Sequence, residues 1–187
     1  MTATPSSSGG KAAVFWGLGL GWVVLDFVTK RIAVATLDWR VPHELIGDWV
    51  RFTLVYNKGA AFGMHVGDWS RWIFTVLTIG ALVMLGYLYR ETRPDQRVRL
   101  LALTLVSGGA VGNLIDRLRG SQGVVDFIDV GIGNVWRFWT FNVADIGVSC
   151  GAVLLAIALW QEEREARAVE SARAAPAAPP GAEHAEL

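Results

Sequence analysis

Four aspartates, Asp26, Asp116, Asp126 and Asp145, stand in or beside the most apolar stretches of this chain. A charge inside a lipid-crossing helix costs about 2.5–3.5 kcal/mol even on a lenient insertion scale, so each needs a reason. Asp26 has Lys30 one helical turn later and Asp116 is followed by Arg117, and a carboxylate beside a cation reads first as a structural ion pair. Asp126, in Val124-Val125-Asp126-Phe127-Ile128, and Asp145, in Phe141-Asn142-Val143-Ala144-Asp145, have no such neighbour. Two carboxylates brought together in apolar surroundings do not both ionise easily: one pKa rises and the pair shares a proton. One member can then take a proton from water while the other gives one to a carbonyl oxygen, the acid–base logic of an aspartic protease.

Other chemistries find less support. The histidines, His43, His65 and His184, lie outside the apolar runs, which disfavours an intramembrane Ser-His pair despite Ser107 and Ser149. No H-E-x-x-H motif is present, which disfavours a zinc peptidase. The single Cys150 has no His partner nearby and reads as a small core residue. The run Ser107-Gly108-Gly109-Ala110-Val111-Gly112-Asn113 has no P-loop Lys, and small residues at this spacing let helices approach closely.

The elements that must position these aspartates are membrane spans. Hydrophobic residues make up 52% of the 187 residues and charged residues only 18%. Crossing about 30 Å of hydrocarbon takes about 20 mostly apolar residues. Four stretches meet that need, near 12–35, 72–89, 98–116 and 141–160. Four spans put both termini on one side. Arg90, Arg93, Arg97 and Arg99 crowd the linker between spans two and three, Lys11 precedes span one, and Arg164, Arg167 and Arg173 follow span four. These basic residues predict that both termini are cytoplasmic. The outer ends of spans one, three and four then bring all four aspartates near one interface. Trp39, Trp49, Trp69, Trp72, Trp136 and Trp139 flank that same side, as an interfacial belt requires.

Residues 38–70 form a connector too long to be passive, and its segment 49–56, rich in β-branched and aromatic residues, reads as a strand or strand pair on the membrane surface. Asn57-Lys58-Gly59 reads as a turn. Residues 1–10 are small and polar, and 161–187 run from a charged stretch into an Ala/Pro tail; both are expected to be disordered, leaving 11–160 as one membrane domain. Lys11, the first apolar run and Ala33-Val34-Ala35 mimic a cleavable signal peptide, but Asp26, Lys30 and Arg31 interrupt the pattern and three further spans follow. Lys+Arg and Asp+Glu are both 17, so no basic excess points to nucleic acid.

At these residues the chain resembles the lipoprotein signal peptidase (signal peptidase II) family of bacterial inner-membrane aspartic peptidases. Asp26-Phe27-Val28-Thr29-Lys30 is similar to its D-x-x-T-K, and Asn57-Lys58-Gly59-Ala60-Ala61-Phe62-Gly63 to its N-x-G-A-A-F. Gly108 to Arg117, continued by Val124 to Asp129, resembles its G-N-x-I-D-R and V-V-D-F, and Phe141 to Asp145 its F-N-x-A-D. Each motif is weak alone, but the ordered set is very specific, and with the spans it covers roughly residues 12–160. The resemblance implies a four-helix integral membrane protein with a small β-rich cradle in the first outer loop. It also implies removal of the signal peptide from diacylglyceryl-modified prolipoproteins, cut on the amino side of the lipidated lipobox cysteine. Asp126 and Asp145 are then the catalytic dyad. Asn57, Gly59, Asn113, Arg117 and Asn142 match residues lining the family's site, and Asp26, Lys30 and Asp116 its supporting charges. No metal or organic cofactor is implied, the partners are the prolipoprotein and membrane lipid, and a monomer is expected.

The scissile bond of a lipidated substrate stays near the membrane surface because its acyl chains remain in lipid, which suits a dyad at the outer ends of spans three and four. Asn142 lies three residues before Asp145 and so shares its helix face; its amide could bind substrate, orient Asp145 or cap the helix. Two other readings stay open: a small transporter whose carboxylates relay ions, which expects a charge near mid-membrane, and a lipid enzyme whose carboxylates hold a divalent metal.

Overall fold

The structure is a computed structural model that describes residues 8–59, 69–133 and 135–174. Four helices are long and apolar enough to cross a membrane. They are α1 (Ser8–Thr36), α2 (Ser70–Glu91), α3 (Arg97–Arg119) and α4 (Val143–Ala174). Between them lie β1 (Pro42–Ile46), β2 (Val50–Asn57), β3 (Val124–Ile132) and β4 (Trp136–Arg137). Lipid is the solvent for the bundle's outside, so its large apolar side chains point outward: Trp16, Leu20, Val76 and Val83 are all exposed.

The helices alternate in direction. At one end Lys11 Nζ donates to the carbonyls of Tyr89 (2.5 Å) and Thr92 (2.6 Å), setting a cation on the negative end of α2. Arg99 Nη1 meets Glu162 Oε2 at 2.9 Å at the same end, where Phe15, Leu85, Leu100 and Leu103 form the apolar core. At the other end α1 reaches α3 and α4 through Asp26 and Lys30, and there the sheet sits. α3 is the most enclosed helix. Its glycines allow that: a β-carbon on Gly109 would collide with the Ala144 carbonyl of α4, and one on Gly112 would lie 2.5 Å from Asp26 Oδ2. The small-residue run is thus a packing surface, as its spacing suggests.

The sheet is antiparallel in the order β1-β2-β3-β4. The sheet draws on both loops at this end of the bundle: β1 and β2 come from the loop between α1 and α2, β3 and β4 from the loop between α3 and α4. In the β2–β3 register Val55 faces Asp126 and Asn57 faces Val124. Side chains alternate along a strand, so Asn57, two residues from Val55, shares a sheet face with Asp126. The sheet's outer part is pinned by charge: Arg137 Nε meets Asp129 Oδ1 at 2.6 Å, Thr53 Oγ1 donates to Asp129 Oδ2, and Arg51 pairs with Asp48. The six tryptophans expected at the interface are all exposed around this end.

Three expectations need correction. The segment after 160 is not disordered throughout, because α4 continues to Ala174. Gln161-Glu162-Glu163-Arg164-Glu165-Ala166-Arg167 are strong helix formers, and Arg167 pairs with Glu163 one turn back. α1 likewise begins at Ser8, carried one turn back from the anchored Lys11, so the expected disorder of 1–10 fails for 8–10. Cys150 is exposed on α4 rather than in the core. Residues 1–7, Ala60–Gly63 of the turn motif, and the Ala/Pro tail from 175 lie outside the described residues.

Candidate active site

β3 carries Asp126 and the first turn of α4 carries Asp145, and one residue joins them. Asn142 immediately precedes α4. Its Oδ1 accepts the backbone N–H of Asp145 at 2.9 Å, and its own N–H donates to Asp145 Oδ2 at 3.2 Å. This is a reciprocal capping box with Asp145 in the place usually taken by Glu. The same Asn142 amide donates through Nδ2 to Asp126 Oδ1 at 2.7 Å. Asn142 therefore caps the helix and links the two carboxylates, by its side chain to Asp126 and by its backbone N–H to Asp145. Asn142 is fully buried and Asp126 nearly so, whereas Asp145 is half-buried.

The bridge continues inward. Asn113 Nδ2 donates to Asp145 Oδ1 at 2.8 Å, and Asn113 Oδ1 accepts from Asn142 Nδ2 at 3.1 Å and from Lys30 Nζ at 2.9 Å. Lys30 also lies 2.8 Å from Asp26 Oδ2 and 2.9 Å from Asp116 Oδ2. Three contacts match the three N–H donors of an ammonium, which satisfies this buried cation. Asp26 Oδ1 accepts the N–H of Ala144 at 2.8 Å, tying α1 to the free N–H groups at the start of α4. Asp116 Oδ2 accepts the N–H of Val125, tying α3 to the strand residue before Asp126. The ion-pair reading of Asp26 thus holds with Lys30, while Asp116 pairs with Lys30 and not with the adjacent Arg117. Arg117 is half-buried, within electrostatic reach of Asp145, Asp126 and Asp116.

Asn57 hydrogen-bonds the Asp126 side chain, and its Oδ1 accepts the N–H of Gly59 at 2.9 Å, closing the turn after β2. Burial first, and the nearby charge of Asp145 second, push the Asp126 carboxyl up to about 7, against the hydrogen bonds from Asn57 and Asn142 that hold it down. Such a group carries a proton near neutral pH. Asp145, accepting an N–H on each oxygen, is arranged as an acceptor. The pair can hold one proton between them and trade it with a water and a carbonyl group.

All ten residues singled out from the sequence are described, and all lie at the sheet end of the bundle. Among the described residues no three His, Cys, Asp or Glu side chains are grouped as metal ligands; Asp26 and Asp116 converge on Lys30 instead. Sequence reasoning missed the strand that carries Asp126, although Val124-Val125-Asp126-Phe127-Ile128-Asp129-Val130 has the β-branched content of one. It also missed Gly112 as the space into which Asp26 fits, and Asp129–Arg137 as the brace of the sheet.

Comparison with known proteins agrees with this architecture. A lipoprotein signal peptidase from Burkholderia thailandensis is 40% identical over 163 residues, covering 86% of this chain and 94% of the relative. One from Burkholderia vietnamiensis is 39% identical, covering 84% and 92%. A bacterial membrane enzyme solved by the in meso method at 2.3 Å resolution superposes with a TM-score of 0.73 at 30% identity, covering 87% of this chain and 94% of the other. A second, at 1.9 Å, gives 0.69 at 31% identity, covering 85% and 97%. The family described as signal peptidase (SPase) II matches residues 18–161, and with this fold and these relatives the chain belongs to it.

Proposed function

We propose that this chain is an aspartic endopeptidase that removes the signal peptide from diacylglyceryl-modified prolipoproteins, cutting on the amino side of the lipidated cysteine, with Asp126 and Asp145 as its dyad. The observation that carries this reading is Asn142 bridging the two carboxylates where the spans meet the sheet, its side-chain Nδ2 donating to Asp126 and its backbone N–H to Asp145. Asp145 takes a proton from a water as that water attacks the scissile carbonyl carbon. Asp126 gives its proton to the carbonyl oxygen, leaving a neutral gem-diol. Collapse breaks the C–N bond, the amine nitrogen leaves with the proton held by Asp145, and a hydroxyl proton of the gem-diol returns to Asp126. The carboxylic acid product and the free amine of the cysteine account for every atom of the added water.

Each neighbour has a part in that cycle. Asn142 and Asn113 hold Asp145 as an acceptor, and Asn57 fixes the Asp126 side chain. Arg117 supplies positive charge beside the dyad, balancing charge on the reacting group and facing the polar part of the lipidated residue. Asp26, Lys30 and Asp116 hold α1, α3 and the start of β3 in register. The sheet lies over the site at headgroup depth, where a substrate anchored by its acyl chains presents its peptide.

The orientation follows from the basic residues at the other end of the bundle: both termini cytoplasmic and the dyad at the outer face of the inner membrane. A reporter fused after Arg97 should be cytoplasmic and one fused within 40–59 external. The activity itself is tested by incubating the purified full chain with a prolipoprotein before and after diacylglyceryl transfer, with and without EDTA. Cleavage of only the lipidated form, untouched by chelation, supports the reading. Failure to cleave it, or loss of cleavage in EDTA with recovery on adding a divalent ion, contradicts it.

A further inference from the structure

A cleft of about 670 Å³ opens beside the end of β2, lined by Trp39, Arg40, Tyr56, Lys58 and Gln122. Among the described lining residues the charge is one-sided: Arg40 and Lys58 are cations and none is acidic. Among the described residues neither cation has an ion-pair partner. The Arg40 guanidinium carbon lies 4.7 Å from the centroid of the Trp39 ring, a cation–π contact that uses none of its five N–H donors as hydrogen bonds to a carboxylate. Arg40 is also the one described non-glycine residue with a left-handed backbone, at φ 61. It is held so by its N–H to the Leu54 carbonyl at 3.0 Å and by Val41 N–H to the Asp38 carbonyl at 3.2 Å. Non-glycine residues kept in this region cluster at ligand sites, where the surrounding structure fixes them.

Depth narrows the choice of anion. α1 ends at Thr36, so Trp39 and Arg40 stand just past the end of a span, and exposed Trp39 belongs to the ring of tryptophans that marks the headgroup level. A cation pair with aromatic walls at this level meets phosphodiester groups as its most abundant anions. We propose that this cleft is a phosphodiester site and that its occupant is the headgroup of an anionic phospholipid, seated beside the active site. The site is coupled to the dyad through the chain. Lys58 follows Asn57, whose side chain bonds Asp126 and closes on the Gly59 N–H. A headgroup held by Lys58 braces that turn, so anionic lipid should raise turnover as well as bind.

The test uses the full chain with Arg40→Asn, Lys58→Gln and the double variant; Asn tolerates the left-handed backbone, so Arg40→Asn removes the charge without new strain. Native mass spectrometry after extraction from phosphatidylcholine vesicles containing phosphatidylglycerol, in roughly a three-to-one ratio, reads retained lipid independently of activity. The wild type should retain phosphatidylglycerol over phosphatidylcholine, each single variant should weaken that by about fivefold, and the double variant should lose the preference. Turnover should be higher in the mixed vesicles than in phosphatidylcholine alone for the wild type, and equal in both for the double variant. Glycerophosphate should compete only weakly; competition as strong as by the lipid would make this a free-phosphate site and overturn the lipid assignment. Unchanged lipid retention in the double variant would also overturn it. So would a KM raised equally in both vesicle types, the mark of a site for the substrate's own peptide.

Discussion

Lys30 Nζ stands 2.9 Å from Oδ1 of Asn113, and this contact, with Asn142 Nδ2 on the same oxygen, sets which end of the Asn113 amide faces Asp145. With its oxygen held by the ammonium, Asn113 presents Nδ2 to Asp145 Oδ1. A buried cation on one helix thereby sets a hydrogen bond to a carboxylate on another. Lys30→Met should loosen the Asn113 amide, whose oxygen keeps only the Asn142 Nδ2 donor, and leave Asp26 and Asp116 without their shared cation. Breaking such a pair costs about 3–5 kcal/mol, so thermal stability should drop as well as kcat. Adding Asp26→Asn to Lys30→Met removes both charges of that pair and should recover part of the stability but not kcat, since Asn113 Oδ1 still lacks its ammonium donor and keeps only Asn142 Nδ2. Recovery of both together would reduce Lys30 to a purely structural role.

Gly112 is where Asp26 meets α3. A β-carbon there would sit 2.5 Å from Asp26 Oδ2 and 3.3 Å from the Ala144 β-carbon. Gly112→Ala should destabilise the protein by about 1–3 kcal/mol, the usual cost of overpacking, and lower kcat by displacing Asp26 from the Ala144 N–H. A thermal melt and a rate assay on the same preparation check both. Wild-type behaviour in both would mean that α1 moves aside without disturbing the site.

The Asp126 carboxyl, pushed up to about 7, sets the pH dependence. The acid must be protonated to act, so kcat should fall as pH rises through about 7. Asn57 holds the value down by its hydrogen bond, so Asn57→Ala should shift this limb to higher pH while lowering the maximal rate. A limb that moves to lower pH, or does not move, would contradict the assignment of the proton to Asp126. Stability carries the same sign. Between the ordinary carboxylate pKa of 3.8 and about 7 the folded chain holds a proton that the unfolded chain has released. Stability should therefore fall as pH rises across that window and level off above it.

Gly59 donates its N–H to Asn57 Oδ1, and its residue is buried in the turn. Gly59→Val should disturb the turn after β2 and, if the sheet receives substrate as proposed, raise KM for the lipidated prolipoprotein. Loss confined to kcat, with KM intact, would place this turn in the chemical step instead.

Much of this arrangement is legible in the sequence, because the membrane imposes strong constraints. Apolar length gives the spans, and Asp26 and Asp145 attract notice because a carboxylate in a span is costly. Alternating helix direction then gathers Asp26, Asp116, Asp126 and Asp145 at one end without any knowledge of contacts. What was not legible depends on side-chain geometry. Asn142 in Phe141-Asn142-Val143 could cap or bind; only the fold shows one amide doing both, since β3 must pass close enough for Asp126 to reach it. The partner of Asp116 follows the same pattern. Arg117, adjacent in sequence, makes no ion pair with Asp116, and Lys30, remote in sequence, is the cation in contact. The helix beyond 160 was hidden by its charge, which reads as solvated chain although Glu and Arg are good helix formers.

The central claim is that Asp126 and Asp145 share the catalytic proton, and it is tested most directly by cleavage of a diacylglyceryl-modified prolipoprotein by Asp126→Asn, Asp145→Asn and the double variant. Each must be purified as folded protein with a thermal melt near that of the wild type. Asn keeps the shape but neither accepts the water's proton nor carries the shared one. Each single variant should lose at least about 10²–10⁴-fold in kcat. The double variant should be little worse than either, because the two act as a unit. Substantial turnover by either folded single variant, or independent and additive losses in the double, would contradict the account.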